Sequence, residues 1–260
     1  VRAKDYIKHL LSIENYSFSL EEIINNTESE GTSLKFELAR LVEKKELVNL
    51  RKGFYLIIPP RYSKQVQLPI QLYVDKLFKS VNRNYYLCHY SAAKFHGASH
   101  QQSQREYVMT ERPKLNEIKK IDIQFFTSTR WPSKNITERK SDAGIFKISS
   151  PALTAADLIH HQNKLGGINR MLAIIEELSE EITNADLTDL LTWYPHRSTL
   201  QRIGFILERL QTNIDHDSIL EYLKSGLYFP VLLSPNGTQK PGLVDNKWKV
   251  VVNVKLESDL

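Results

Sequence analysis

An α+β fold is what this sequence predicts, on three observations. The first sixty residues hold three stretches of helical periodicity followed by two β-prone runs around a glycine. Residues 105 to 150 hold three more β-prone runs, "REYVMTE", "IDIQFFTS" and "GIFKISS". Residues 151 to 225 are helical in pattern, and "LYFPVLLS" and "KWKVVVNV" close the chain as strands. With 260 residues, 41% of them hydrophobic, there is enough chain for one large domain or two ordinary ones.

The first helix is expected from Asp5 to Glu14, with Tyr6, Ile7, Leu10 and Leu11 on one face. "FSLEEIINNT" predicts a second, with Ser19 as N-cap and Glu22 completing a capping box. The third is opened by Thr32 or Ser33 and carries Leu34, Leu38, Leu41 and Val42 as a single apolar stripe. Leu47 to Leu50 and Phe54 to Ile58 are then two strands of a hairpin, with Gly53 supplying its positive φ. Pro59 and Pro60 end it. Helix, helix, helix, hairpin is the plan of a winged helix-turn-helix. The expected organisation is therefore a winged helix over residues 1–60 and a larger mixed domain over 61–260.

Pro69 is expected to open a helix running to about Val81. "YYLC" is short and extended, and Ser91 is the expected cap of a two-turn helix, "SAAKFHG", closed by Gly97. Pro151 starts the next helix, and Gly166-Gly167 separates it from its successor. Further helical patterns cover about 186–193, 198–211 and 215–225. The segments 128–142 and 234–247 match no pattern.

The net charge of +5 is unevenly spread. Residues 1–60 are neutral, 61–150 carry +9 and 151–260 carry −4. Within the winged helix, residues 1–30 carry −3 and residues 31–58 carry +3. That places the positive charge on the third helix and the wing, the elements that meet DNA in this architecture. Opposite the leucine stripe lie Thr32, Ser33, Phe36, Arg40 and Glu43, flanked by Lys35 and Lys44. Arg40 suits guanine. Thr32, Ser33, Lys35 and Lys44 suit phosphates, and Arg51 and Lys52 at the wing tip suit backbone or minor groove. Glu43 repels phosphate unless it accepts from a cytosine amine. The same architecture also serves as a protein-interaction scaffold, so charge alone leaves both uses open. Lys114, Lys119, Lys120, Arg130, Lys134, Arg139 and Lys140 make up a second basic group. Flanking DNA, an RNA and an acidic protein surface are its three candidate partners, with DNA preferred.

No apolar run approaches the roughly 18 to 20 residues of a membrane helix, and no signal peptide is visible. A single cysteine agrees with a reducing, cytoplasmic setting. The chain holds no phosphate-binding glycine loop. Cys88 and His89 are neighbours on an extended segment, so their side chains are expected on opposite faces. Cys88 reads as a buried small hydrophobe and His96 as a hydrogen-bonded packing residue. His160 and His161 are expected to diverge on a helix, which is poor ligand geometry. Asp215 and Asp217 lack the Gly-Ser of a nucleotidyltransferase, and Asp215 is expected to cap a helix. Glu117-Ile118-Lys119 lacks the upstream aspartate of a nuclease. The expectation is no catalysis, no metal and no cofactor.

"NYYLCHYSAAKFHGASHQQSQREYVMT", "GIFKISSPALTAADLI" and "GGINRMLAIIEEL" together resemble the AbiEi-type antitoxins of type IV toxin–antitoxin systems. The resemblance implies an antitoxin of abortive-infection phage defence that also represses its own operon. It implies inverted-repeat promoter DNA and a nucleotidyltransferase-like toxin as partners, and a monomer or dimer on DNA. The alternative is a nuclease or nucleotide-modifying enzyme targeted by a winged helix.

Overall fold

The structure, a computed structural model, describes residues 1–28, 31–64, 67–98, 105–115, 118, 121–236 and 242–257. It is a mixed α+β chain that divides into two compact units. One comprises Val1–Tyr86, Gln104–Thr127 and Glu138–Lys147, the other Leu87–Ser103, Ser128–Thr137 and Ile148–Leu260.

The first unit opens with α1 (Ala3–Ser12), β1 (Ser17–Ser19), α2 (Leu20–Asn26), α3 (Gly31–Glu43), β2 (Leu47–Arg51) and β3 (Phe54–Ile57). The capping box forms as expected. Ser19 Oγ accepts from the Glu22 N–H at 3.0 Å, and the Ser19 N–H donates to the Glu22 carboxylate at 3.4 Å. Ile7 and Leu10 of α1, Ile23 of α2, and Leu34, Leu38 and Leu41 of α3 close one core with Phe18, Leu47 and Ile57. Val42 packs at its edge. Gly53, at φ +76°, turns the β2–β3 hairpin. The periodicity did not reveal β1, which is only three residues long. It pairs antiparallel with β3, Phe18 opposite Tyr55, and gives a three-stranded sheet of order β1-β3-β2.

The packing does not break at residue 60. Arg61 donates to the Tyr16 hydroxyl at 2.9 Å, and Lys76 Nζ donates to the Ser17 carbonyl at 3.2 Å and to Glu22 at 3.3 Å. These bonds tie the following segment to the first sixty residues. The helix expected from Pro69 is interrupted. A single 3₁₀ turn, Ile70–Leu72, precedes α4 (Val74–Lys79), because Tyr73 leaves helical geometry at φ −144° and ψ −13°.

The central sheet has five strands: β4 (Tyr85–Leu87), β5 (Glu106–Thr110), β6 (Ile123–Thr127), β7 (Ile136–Ser141) and β8 (Gly144–Ser149). Between β4 and β5 lies α5 (His89–Phe95). The strand order is β6-β5-β4-β8-β7, with β5–β6 and β4–β8 parallel. The sequence pattern missed β7 altogether. Four consecutive residues of this edge strand, 137 to 140, are exposed, so it carries no alternation of apolar and polar residues.

The second unit is built on helices α6 (Pro151–His160), α7 (Leu172–Glu181), α8 (Asn184–Trp193), α9 (Arg197–Arg209) and α10 (His216–Lys224). Pro151 stands at the first helical position, as expected. Asp215 caps α10 by accepting from the N–H groups of Asp217 and Ser218, so helix capping accounts for that carboxylate. A small sheet of order β10-β11-β9 is formed by β9 (Val231–Leu232), β10 (Val244–Asp245) and β11 (Val250–Val251). Trp248, fully buried, donates its indole N–H to Glu208 at 2.6 Å. Its ring lies against Gly204 of α9, where an added Cβ would fall 2.1 Å from Trp248 Cζ3. Gly204→Ala is therefore expected to overpack this contact and lower stability by about 1–3 kcal/mol, read as an earlier urea midpoint.

Candidate functional site

The exposed face of α3 is set by what its other face buries. Leu34, Leu38 and Leu41 turn inward, so Thr32, Ser33, Lys35, Phe36 and Arg40 turn to solvent, with Lys44 just past the helix end. Arg51 and Lys52 are exposed at the tip of the β2–β3 hairpin. All eight residues expected at a nucleic-acid interface are thus accessible. Lys35, Arg40, Lys44, Arg51 and Lys52 form no ion pair among the described residues. Phe36 is 66% exposed although it is a large apolar side chain.

The basic segment after residue 60 is less free than its sequence suggests. Lys76 pairs with Glu22, Lys79 with Asp75 and Arg105 with Asp122. Lys134, a member of the second basic group, is held by Asp189 of α8 at 2.5 Å. Arg139 and Lys140 are exposed on β7, and Lys114 and Arg130 are exposed in loops. Lys119 and Lys120 lie outside the described residues.

Cys88 and His89 do not diverge. The alternation argument requires both residues to be extended, but His89 sits at φ +51°, in the left-handed region that non-glycine residues seldom occupy. Cys88 Sγ consequently lies 3.0 Å from His89 Nδ1. Ser91 is not a cap, because α5 starts two residues earlier and buries Ser91 within its first turn. His89 Nε2 meets His161 Nδ1 at 3.0 Å. His160 and His161 stay together, edge to face at 4.7 Å, because α6 ends at His160 and His161 turns out of helical geometry. His160 stacks on His196 at 4.0 Å and bonds to Thr199 at 3.2 Å. Four imidazoles and a thiol thus form one chain from the buried Cys88 outward.

Electrostatics favour the neutral form of each group in this chain. Burial, with the charge of Asp157, pushes the Cys88 thiol well above its usual range, the opposite of an activated nucleophile. Burial also lowers every imidazole: His89 well below 6.5, His160 to about 4 and His161 to about 3, with neighbouring imidazoles adding to the effect at these three. His196 is lowered by burial as well. Among the described residues no cluster of three or more His, Cys, Asp or Glu suits a metal ion. His96 donates to the Ser149 carbonyl at 2.8 Å, the packing role expected of it.

Residues 85–209 match the family model of the AbiEi antitoxin C-terminal domain. The chain carries an AbiEi antitoxin domain. This domain runs from β4 to the end of α9 and so contains the whole histidine chain. The crystal structure of the RV2827C protein from Mycobacterium tuberculosis is similar in fold, at a TM-score of 0.69 and 13% identity, over 96% of this chain and 90% of that one. A search of curated proteins found no match.

The AbiEi domain's imidazole chain could not be found by spacing, because α5, α6 and the start of α9 contribute to it from distant parts of the sequence. Its pH response follows from the direction of the shifts. Each imidazole has a folded pKa below its unfolded value, so the unfolded chain binds protons first on acidification. The stabilisation is complete above pH 6.5 and is lost as pH falls through about 4 for His160 and about 3 for His161. Stability should therefore decline from pH 6.5, ahead of the carboxylates that titrate near about 4.3. In His161→Gln the slope of stability against pH between 6.5 and about 4.5 should be shallower, by at most about 1.4 kcal/mol per pH unit. Denaturant titrations across that range check it.

Proposed function

We propose that this chain is the antitoxin of a type IV toxin–antitoxin system and also represses its own operon. The antitoxin role rests on the AbiEi domain over residues 85–209, and that family implies a toxin as functional partner. For the repressor role, α1 to α3 and the β1–β3 sheet act as a winged helix-turn-helix. The observation that carries it is the outer face of α3, where five exposed cations on the helix, just beyond it and at the hairpin tip find no partner among the described residues. A helix face of this width and charge fits the major groove, with the hairpin tip on the adjoining backbone.

The partner DNA is double-stranded promoter sequence, an inverted repeat occupied by two copies or a single site occupied by one. The toxin is a nucleotidyltransferase-like protein encoded beside it, and the setting is cytoplasmic phage defence. No helix among the described residues is long and apolar enough to cross a membrane. The chain works by binding, without chemistry of its own. The buried Cys88 thiol, with its pKa pushed up, and the imidazoles, with theirs pushed down, support that reading.

Full-length protein should bind its own promoter duplex in preference to a scrambled one, with affinity falling steeply as salt rises. Arg51→Ala with Lys52→Ala should reduce the slope of log affinity against log salt by about 0.9 for each phosphate no longer neutralised, leaving sequence preference intact. Equal affinity for promoter and scrambled duplex would rule out specific repression.

The two roles should also separate genetically. Arg40→Ala, at an exposed position, should weaken promoter binding by about 1–3 kcal/mol and derepress the operon. The same variant should still protect cells that express the neighbouring toxin gene. Loss of protection in this folded variant would show that repression and neutralisation share one surface.

A further inference from the structure

Phe36 stands on the face of α3 turned away from its buried stripe. At 100° per residue it stands almost directly opposite Leu34, Leu38 and Leu41, and it is 66% exposed. That position on an amphipathic helix is ordinarily polar. Around it stand Thr32, Ser33, Arg40 and Glu43, all exposed and all able to form hydrogen bonds. Phe36 is the one large side chain of this face that can form none. The surrounding cations Lys35, Arg40 and Lys44 mark the occupant of the face as a polyanion rather than an apolar protein groove.

Within the major groove each base pair shows donors and acceptors, and only thymine shows an apolar group, its C5-methyl. An aromatic ring pressed into the groove at this point desolvates whatever it meets. Against a donor or acceptor it leaves that group without a partner, and against a methyl it buries apolar area on both sides. We infer that Phe36 is a specificity-determining residue that reads a thymine methyl in the operator. The inference rests on the DNA-binding role proposed above. Arg40 lies one helical turn further on, about 6 Å along the axis. If Arg40 reads guanine, the thymine stands within about two base-pair steps of it.

Replacing thymine by deoxyuridine removes only the methyl and tests this directly. Full-length protein is first used to enrich binding duplexes from a randomised library, alongside a fragment of its own promoter. Each thymine of the enriched site is then replaced singly by deoxyuridine. One position in each half-site should weaken binding by about fourfold, the loss of one buried methyl. Phe36→Ala should bind the thymine and uracil duplexes alike, and Phe36→Leu should keep part of the difference. The exposed position makes both substitutions compatible with folding, which circular dichroism checks. Failure to enrich any sequence would overturn the repressor reading and this inference together. An enriched site with no uracil-sensitive position would overturn this inference alone. So would a uracil effect that persists undiminished in Phe36→Ala.

Discussion

Helix α6 is buried along almost its whole length, and the second unit is organised around satisfying it. Every residue from Ala152 to Ile159 is buried, including Thr154 and Asp157. A helix so enclosed cannot leave its end groups to water, so the protein supplies the partners. Ser150 Oγ accepts from the Leu153 N–H, the Ser150 carbonyl accepts from the Thr154 N–H, and Asp186 accepts from the Ala152 N–H at 2.8 Å. The carboxylate of Asp186 is doubly placed, since it stands at the positive end of α6 and also receives the amide of Asn135 at 2.7 Å. Asn135 in turn accepts from the Trp193 indole at 2.7 Å. One carboxylate thus anchors α6, the segment before β7 and α8.

The C-terminal end of α6 explains the histidines in the same terms. The helix stops at His160, and the Asp157 carbonyl accepts the His161 backbone N–H at 3.0 Å and also lies 3.2 Å from His161 Nδ1. The imidazole chain that continues to His89 is best understood as the polar lining of a buried helix end. Imidazole suits the place because, while neutral, it offers one donor and one acceptor without carrying charge into the interior. His89 holds this left-handed backbone, φ +51°, at a fully buried position.

The N-terminal elements solve a different problem. Three short helices and a three-stranded sheet bury one stripe each, and what is left of α3 faces outward with its cations. In the basic segment beyond residue 60, four of the sixteen cations are paired within the fold, with Glu22, Asp75, Asp122 and Asp189. A charge count over a stretch of sequence measures composition, whereas only cations without a local carboxylate contribute to an external field.

The sequence by itself determined whatever depends on near neighbours along the chain. The capping box at Ser19, the leucine stripe of α3, the turn at Gly53, Pro151 at a helix start and the Asp215 cap are interactions over four residues or fewer. The order of its motifs was also enough for the AbiEi resemblance that the family match bears out. The outward face of α3, and with it the candidate interface, was legible for the same reason, being the complement of a visible stripe. The tertiary structure alone decided what depends on contacts remote in sequence. It bent His89 toward Cys88, gathered four histidines from three segments, and gave Lys134 to Asp189, fifty-five residues away. It also made an edge strand of β7, whose exposure on both faces erases the alternation by which a strand is recognised. Periodicity reports which residues share a face, and it is silent on what that face will meet.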